Sequence, residues 1–267
     1  MKKEGFIETE DGRQFFYTEY ENESAPAVGI FIHGGSSTGQ RSFGRLAESL
    51  NKAFRCITYD KRGHGRSQAD GKVTIEKLTD DLRELILKMN LHNVILAGHS
   101  LGGLVVYSYF EKYKGDRIKG TAVFDMSPKV LNCSGWKYGL RMSKSPFLAG
   151  FETNVQKMTC CLMREAGGEI KEWAELAGWL TPCPYSSALH LLWLDMLDSD
   201  YRSAAYGITV PMIYFFTEHG MYPPSVAEWL KENVAGKVIC VDMHPHNHFD
   251  MTEAVDMIEP EFLNVYL

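Results

Sequence analysis

No stretch of these 267 residues approaches the run of about 20 apolar residues needed to span a bilayer. The opening segment, MKKEGFIETEDGRQ, carries two lysines but not the apolar run of a secretory leader, so the cytoplasm is the expected compartment. A surplus of positive charge is missing as well. With 28 Lys and Arg against 34 Asp and Glu, the formal charge is −6, which argues against nucleic acid or an anionic membrane as partner. The six cysteines, Cys56, Cys133, Cys160, Cys161, Cys183 and Cys240, show neither CxxC spacing nor a histidine at zinc-finger distance. Reduced thiols without structural disulfides are therefore expected, and adjacent Cys160 and Cys161 are poorly placed to bridge each other. There is no internal repeat and no low-complexity tract. What remains is a hydrophobic share of 45%, enough in a chain of this length to bury a core without staples.

The pattern along the chain alternates. QFFYTEY reads as an early strand in a hairpin. AVGIFIHGG, FRCITYD, NVILAGHS and IKGTAVFD are continuous apolar runs, as expected of central parallel strands covered on both faces by helices. FGRLAESL, IEKLTDDLRELILKMN and LGGLVVYSYFEKY have helical spacing and separate them. The alternation stops near Ser127. To about Tyr206 the segments look helical, among them SPFLAGFETNVQKMTCCLMREA, EIKEWAELAGWL and SSALHLLWLDML, with no strand-like run between them. It resumes with the strand ITVPMIYFFTE, the helix SVAEWLKEN, the strand KVICVDM and a closing helix from Thr252. The expected architecture is α/β: a doubly wound, mostly parallel sheet formed by residues 1–126 and 207–267, with a helical cap inserted at 127–206.

Gly98-His99-Ser100-Leu101-Gly102 fits G-x-S-x-G and lies where a strand hands over to a helix. A sharp turn there exposes the serine hydroxyl and leaves no room for side chains at the flanking glycines. The helix that follows directs its N-terminal amides at the same point, suiting a developing oxyanion. His33-Gly34-Gly35-Ser36 follows an earlier buried strand, and its glycines let the chain pass close to the serine. Leu101 and Gly35 are accordingly the expected oxyanion donors, and His33 a turn-stabilising residue rather than a catalyst.

HGGSS, YDKRGHGRS, AGHSLGG and a histidine-bearing segment near the C-terminus occur in the order found in the α/β-hydrolase fold family. The chain resembles its small serine esterase, lactonase and cofactor-free haloperoxidase-like members, over nearly the whole length except the insertion, which stands where that family has a variable cap. The resemblance implies a Ser-His-acid triad, no cofactor and no metal, and a structural role for the loop Asp60 to Ser67.

The base should be a histidine after the last strand, and Met243-His244-Pro245-His246-Asn247-His248-Phe249 offers three. Counting from KVICV and from TEAVDMI selects His246, with His248 as the alternative if the loop holds two extra residues. Their alternation is also compatible with a metal site lacking only a further ligand. The acid departs from the family pattern. Where the family places it after the strand PMIYFFTE, this chain has Thr217-Glu218-His219-Gly220. Asp125, closing TAVFD, is the preferred acid, and Glu218 the alternative.

These residues together predict a serine hydrolase for a small, mostly apolar ester, lactone or thioester, with a small molecule as its only expected partner. Two other readings stay open: a perhydrolase or haloperoxidase-like enzyme using the same triad, and a ligand-binding receptor on the same fold. Trp136, Trp173, Trp179 and Trp193, all in the insertion, either line a pocket or pack the cap.

Overall fold

The structure, a computed structural model, describes residues 1–35, 37–67, 73–141 and 187–267, the last stretch with side chains from residue 191 onward. Eight strands make one sheet: β1 (Lys2–Glu8), β2 (Gln14–Tyr20), β3 (Val28–Ile32), β4 (Arg55–Tyr59), β5 (Val94–His99), β6 (Ile118–Phe124), β7 (Met212–Phe216) and β8 (Val238–Asp242). Their spatial order is β1-β2-β4-β3-β5-β6-β7-β8. β1 and β2 form the antiparallel hairpin and β2 also runs antiparallel to β4; every later pairing is parallel. The described helices are α1 (Gly39–Leu50), α2 (Ile75–Lys88), α3 (Leu101–Tyr113), α4 (Ser187–Asp198), α5 (Arg202–Tyr206), α6 (Ser225–Asn233) and α7 (Val255–Tyr266). None of the described helices is long and apolar enough to cross a membrane.

The continuous apolar runs follow from burial of both sheet faces. Along β3, Ile30 and Ile32 join the cluster that contains Leu82 of α2 and Leu104 of α3, whereas Phe31 joins Phe43 of α1 and Phe262 of α7. β5 divides the same way, with Val94 and Leu96 on one face and Ile95 and Ala97 on the other. Because side chains alternate across a strand, two buried faces require an apolar residue at every position. Phe124 and Phe215 stack at 4.3 Å between ring centroids on the α1–α7 face, each ring contributing roughly 2–3 kcal/mol by its burial.

Helix starts are fixed locally. Thr38 caps α1 by accepting from the Arg41 amide, and Thr74 caps α2 by accepting from that of Lys77, each satisfying an amide the helix cannot. Asp195 of α4 accepts from the Ile75 amide at 2.7 Å, tying the C-terminal part of the insertion to the start of α2.

The insertion differs from the sequence expectation at its beginning. Residues 127–141 are not helical; they form turns with isolated antiparallel bridges at Lys129–Asp200 and Cys133–Trp136. Pro128 in this stretch cannot donate to a helix ladder, and its carbonyl instead accepts from the Tyr201 amide at 2.7 Å. Lys129 and Asp200 add an ion pair at 2.9 Å, so the two ends of the inserted segment lie side by side. The expected helices SPFLAGFETNVQKMTCCLMREA and EIKEWAELAGWL, with Cys160, Cys161, Trp173 and Trp179, fall outside the described residues, as does Cys183. Trp136 packs on the core, meeting Trp229 of α6 edge to face at 5.0 Å.

Candidate active site

The C-terminal ends of β3, β5, β6, β7 and β8 converge on one edge of the sheet, where open α/β sheets take their ligands. Ser100 stands between β5 and α3 with φ 52° and ψ −124°, a backbone conformation that costs a non-glycine residue on the order of 1–3 kcal/mol. The strain is held by close packing. A Cβ on Gly102 would stand 2.1 Å from the Ile32 carbonyl oxygen, and one on Gly98 2.3 Å from that of Gly102. The Ser100 amide donates to the Phe124 carbonyl at 3.0 Å, and the Ser100 carbonyl accepts from Gly103 at 2.7 Å. Leu101 is the first residue of α3, where a helix leaves its amides without internal partners.

Asp125, one residue beyond β6, is buried and also holds a positive φ, 40°. Its Oδ2 accepts from His248 Nδ1 at 2.7 Å and from the Met221 amide at 2.7 Å. Both side chains are almost fully enclosed, 3% exposed for His248 and 1% for Asp125. A carboxylate oxygen only accepts, so the proton of a neutral His248 sits on Nδ1 and Nε2 keeps its lone pair. His99 locates this histidine relative to Ser100. Its Nε2 donates to the His248 carbonyl at 2.7 Å, and the two rings lie 4.7 Å apart. Burial first, and the neighbouring His248 second, hold the His99 pKa well below its usual value, so His99 is neutral and serves as a spacer.

The histidine expected on Asp125 was His246, and here the structure corrects the expectation. His246 is half-buried, stands 3.7 Å from Asp250 by its Nδ1, and gives its carbonyl to the Thr217 hydroxyl. The reason is a turn. The His246 amide closes back on the Met243 carbonyl at 2.8 Å, consuming the two residues by which His248 lay too far along. Asn247 and Asp250 then brace the next turn, the Asn247 amide donating to Asp250 Oδ1 and the Phe249 amide to Asn247 Oδ1. His244 is exposed, and the described residues contain no group of three or more side chains able to hold a metal ion.

Glu218 is exposed, and its carbonyl accepts from Arg141. Gly220 is explained by Asp125 itself. A Cβ at 220 would stand 2.6 Å from each of its carboxylate oxygens, so the residue at the position usual for the acid must lack a side chain when the acid comes from β6. Sequence reasoning did not find Gly220 in this role, nor the Met221 amide or His99; GHS and the HG of TEHG were the available signals.

On the other side of Ser100 the His33–Gly35 loop closes in. A Cβ on Gly34 would stand 3.3 Å from Ser100 Cβ, and one on Gly35 2.2 Å from the Trp193 ring, so the α4 indole lies directly over Gly35. The loop Asp60 to Ser67 is buried except at Gly65 and Arg66, which are exposed. Asp60 accepts from the Gly39 and Arg66 amides at 2.9 and 3.0 Å, and Arg62 pairs with buried Asp81 at 2.6 Å. His64 is held neutral, its pKa lowered to about 3 by burial and then by the Lys61 ammonium.

Comparison with known proteins agrees with this fold. Residues 30–158 match the family described as alpha/beta hydrolase fold. The chain is 31% identical over 126 residues to protein phosphatase methylesterase 1 of Candida albicans, covering 45% of this chain and 35% of that protein. It is 27% identical over 129 residues to the bifunctional esterase/perhydrolase DCH of Acinetobacter calcoaceticus, covering 48% and 46%. The matched stretches thus span less than half the length of these curated relatives. An esterase from Exiguobacterium antarcticum superposes with a TM-score of 0.82 at 18% identity, over 98% of both chains. This chain has the α/β-hydrolase fold.

Proposed function

We propose that this chain is a serine hydrolase of small, mostly apolar carboxylic esters, lactones or thioesters, with Ser100 as nucleophile, His248 as base and Asp125 as acid. The observation that carries the reading is the buried Asp125–His248 hydrogen bond of 2.7 Å, on a histidine whose own carbonyl is tied to the residue before Ser100. Asp125 fixes the tautomer and stabilises the imidazolium formed as His248 takes the Ser100 proton. The serine oxygen then attacks the carbonyl, and the amides of Leu101 and Gly35 receive the oxyanion. The imidazolium protonates the leaving group, and water, activated by the same histidine, releases the acyl group. Trp193 over Gly35 supports a substrate boundary formed by the cap, proposed at 127–206 between core segments 1–126 and 207–267.

The test is labelling by a fluorophosphonate probe together with turnover of a short-chain p-nitrophenyl ester. Both should be present in the wild type and lost together in Ser100→Ala. Turnover surviving in Ser100→Ala would overturn the reading, and a wild type with neither property would favour a binding protein on this fold. A second reading, perhydrolysis of a carboxylic acid or ester by hydrogen peroxide at the same serine, is favoured by the likeness to the esterase/perhydrolase of Acinetobacter calcoaceticus. Peracid formation that depends on Ser100 would support it.

A further inference from the structure

Lys61, directly after Asp60 at the end of β4, is fully buried and has no part in the mechanism above. Burying an ammonium is costly unless its protons find acceptors, and those it finds are informative. Nζ donates to the carbonyl of His33 and, at 3.0 Å, to that of Gly34. The His33 ring reinforces the same oxygen. Its Nε2 accepts from the Lys61 backbone amide at 3.0 Å, so its proton lies on Nδ1, which donates to the Gly34 carbonyl at 2.7 Å. Nδ1 also stands 2.7 Å from the lysine Nζ, and because Nε2 accepts from an amide the ring is neutral. Burial, and then the Lys61 charge, keep His33 neutral by pushing its pKa well below the usual value.

The Gly34 carbonyl and the Gly35 amide are the two ends of a single planar peptide unit. Charge drawn to the oxygen by an ammonium increases the positive character of the N–H at the other end, and two donors fix the plane in which that N–H points. We infer that Lys61 is a positioning residue for acyl transfer, its buried ammonium holding and polarising the Gly34–Gly35 peptide toward the developing oxyanion. This rests on the proposal that Ser100 is the nucleophile and Gly35 an oxyanion donor. The charged group lies behind the donor and never touches the substrate. It therefore acts on the transition state more than on binding, since a preorganised dipole matters most where charge develops.

The experiment uses the full chain as wild type, Lys61→Met and Lys61→Gln, each checked for folding by circular dichroism. Each is acylated in a single turnover with p-nitrophenyl pivalate labelled with carbon-13 at the carbonyl, and the acyl-enzyme is read by infrared difference spectroscopy. Lys61→Met should acylate roughly 10- to 100-fold more slowly at saturating ester, less than or equal to the loss of a whole oxyanion donor. Its half-saturating ester concentration should stay within about threefold of the wild type. Its acyl carbonyl band should move to higher wavenumber, because a less polarised carbonyl is a stiffer bond. Lys61→Gln, which keeps a donor without the charge, should fall between the two. A folded Lys61→Met with wild-type acylation, or slowed acylation with an unmoved band, would overturn the inference and leave Ser100 untouched. Unfolding of both variants would also overturn it, by making Lys61 a requirement of the fold. A wild type that forms no acyl-enzyme at Ser100 would instead sink the proposed function, and the inference with it.

Discussion

The turn around Ser100 and the loop around His248 serve one site but are specified in opposite ways. At the turn, backbone meets backbone: Gly98 and Gly102 face carbonyl oxygens at distances no Cβ tolerates, and the serine is forced into φ 52°. Sterics of this kind leave a fixed five-residue imprint. In the loop from Met243 to Asp250 the position is set by a turn, two asparagine and aspartate side chains, and a partner 123 residues away in sequence. Nothing in such a loop restricts its length, so its register is settled only when the chain has folded onto Asp125. Motifs built on backbone contact can be read from sequence, whereas a residue chosen by a distant carboxylate cannot.

The sharpest test of that contrast is the histidine pair. His248→Ala should lower ester turnover by on the order of 10⁴-fold or more, whereas His246→Ala should stay within about tenfold, both measured as kcat/KM on a p-nitrophenyl ester. An inactive His246→Ala beside an active His248→Ala would reverse the assignment. The acid comes next. Asp125→Asn should fold and lose roughly 10⁴-fold in kcat through the wrong histidine tautomer, with Glu218→Gln close to wild type.

At the turn the expected loss is of stability. Gly102→Ala should cost about 3 kcal/mol, because the added carbon meets the Ile32 carbonyl rather than a movable side chain. A urea melt showing no change in midpoint would mean that the turn is looser than its contacts. Gly220→Ala sets a methyl against the Asp125 carboxylate, and kcat should fall roughly 10- to 100-fold while KM changes little.

The most gradual effect is a pH dependence. His64 is kept neutral in the fold with its pKa near 3, against 6.5 for the free side chain. Between these values the unfolded chain binds the extra proton and the folded chain does not, so stability falls as pH drops from about 6.5 toward 3 and is fully present above that window. The slope from this residue approaches about 1.4 kcal/mol per pH unit. Denaturant midpoints for a folded His64→Gln variant should show a shallower decline through the window; an unchanged slope would remove His64 from the acid sensitivity.

Much of the fold was legible for a physical reason. Strands β3, β5, β6 and β7 are buried on both faces, and their unbroken apolar runs identify a helix-covered sheet. The start of the insertion was not legible. Between Ser127 and Arg141 apolar residues such as Val130, Trp136 and Leu140 are buried in the core without a helix, so the insertion expected to be helical opens instead with loop residues docked on the core. Asp125, the proposed acid, stood out in the sequence because an acid ending a buried strand has few structural uses. Gly220 was present in the sequence as a missing acid, but its meaning depends on a carboxylate that arrives from a different strand.

The neighbouring Lys129 and Asp200 have a consequence for how this chain can vary. A segment whose ends are already pinned together behaves as a closed loop on a fixed base, and doubling the length of a flexible closed loop costs only about 0.6 kcal/mol. Changes of length in the inserted segment that spare buried Val130, Trp136 and Leu140 and the Asp195–Ile75 contact should therefore leave the Ser100 turn and the Asp125–His248 pair in place. The chain has, in effect, a socket: one short antiparallel contact closes the base from which the inserted segment departs and to which it returns.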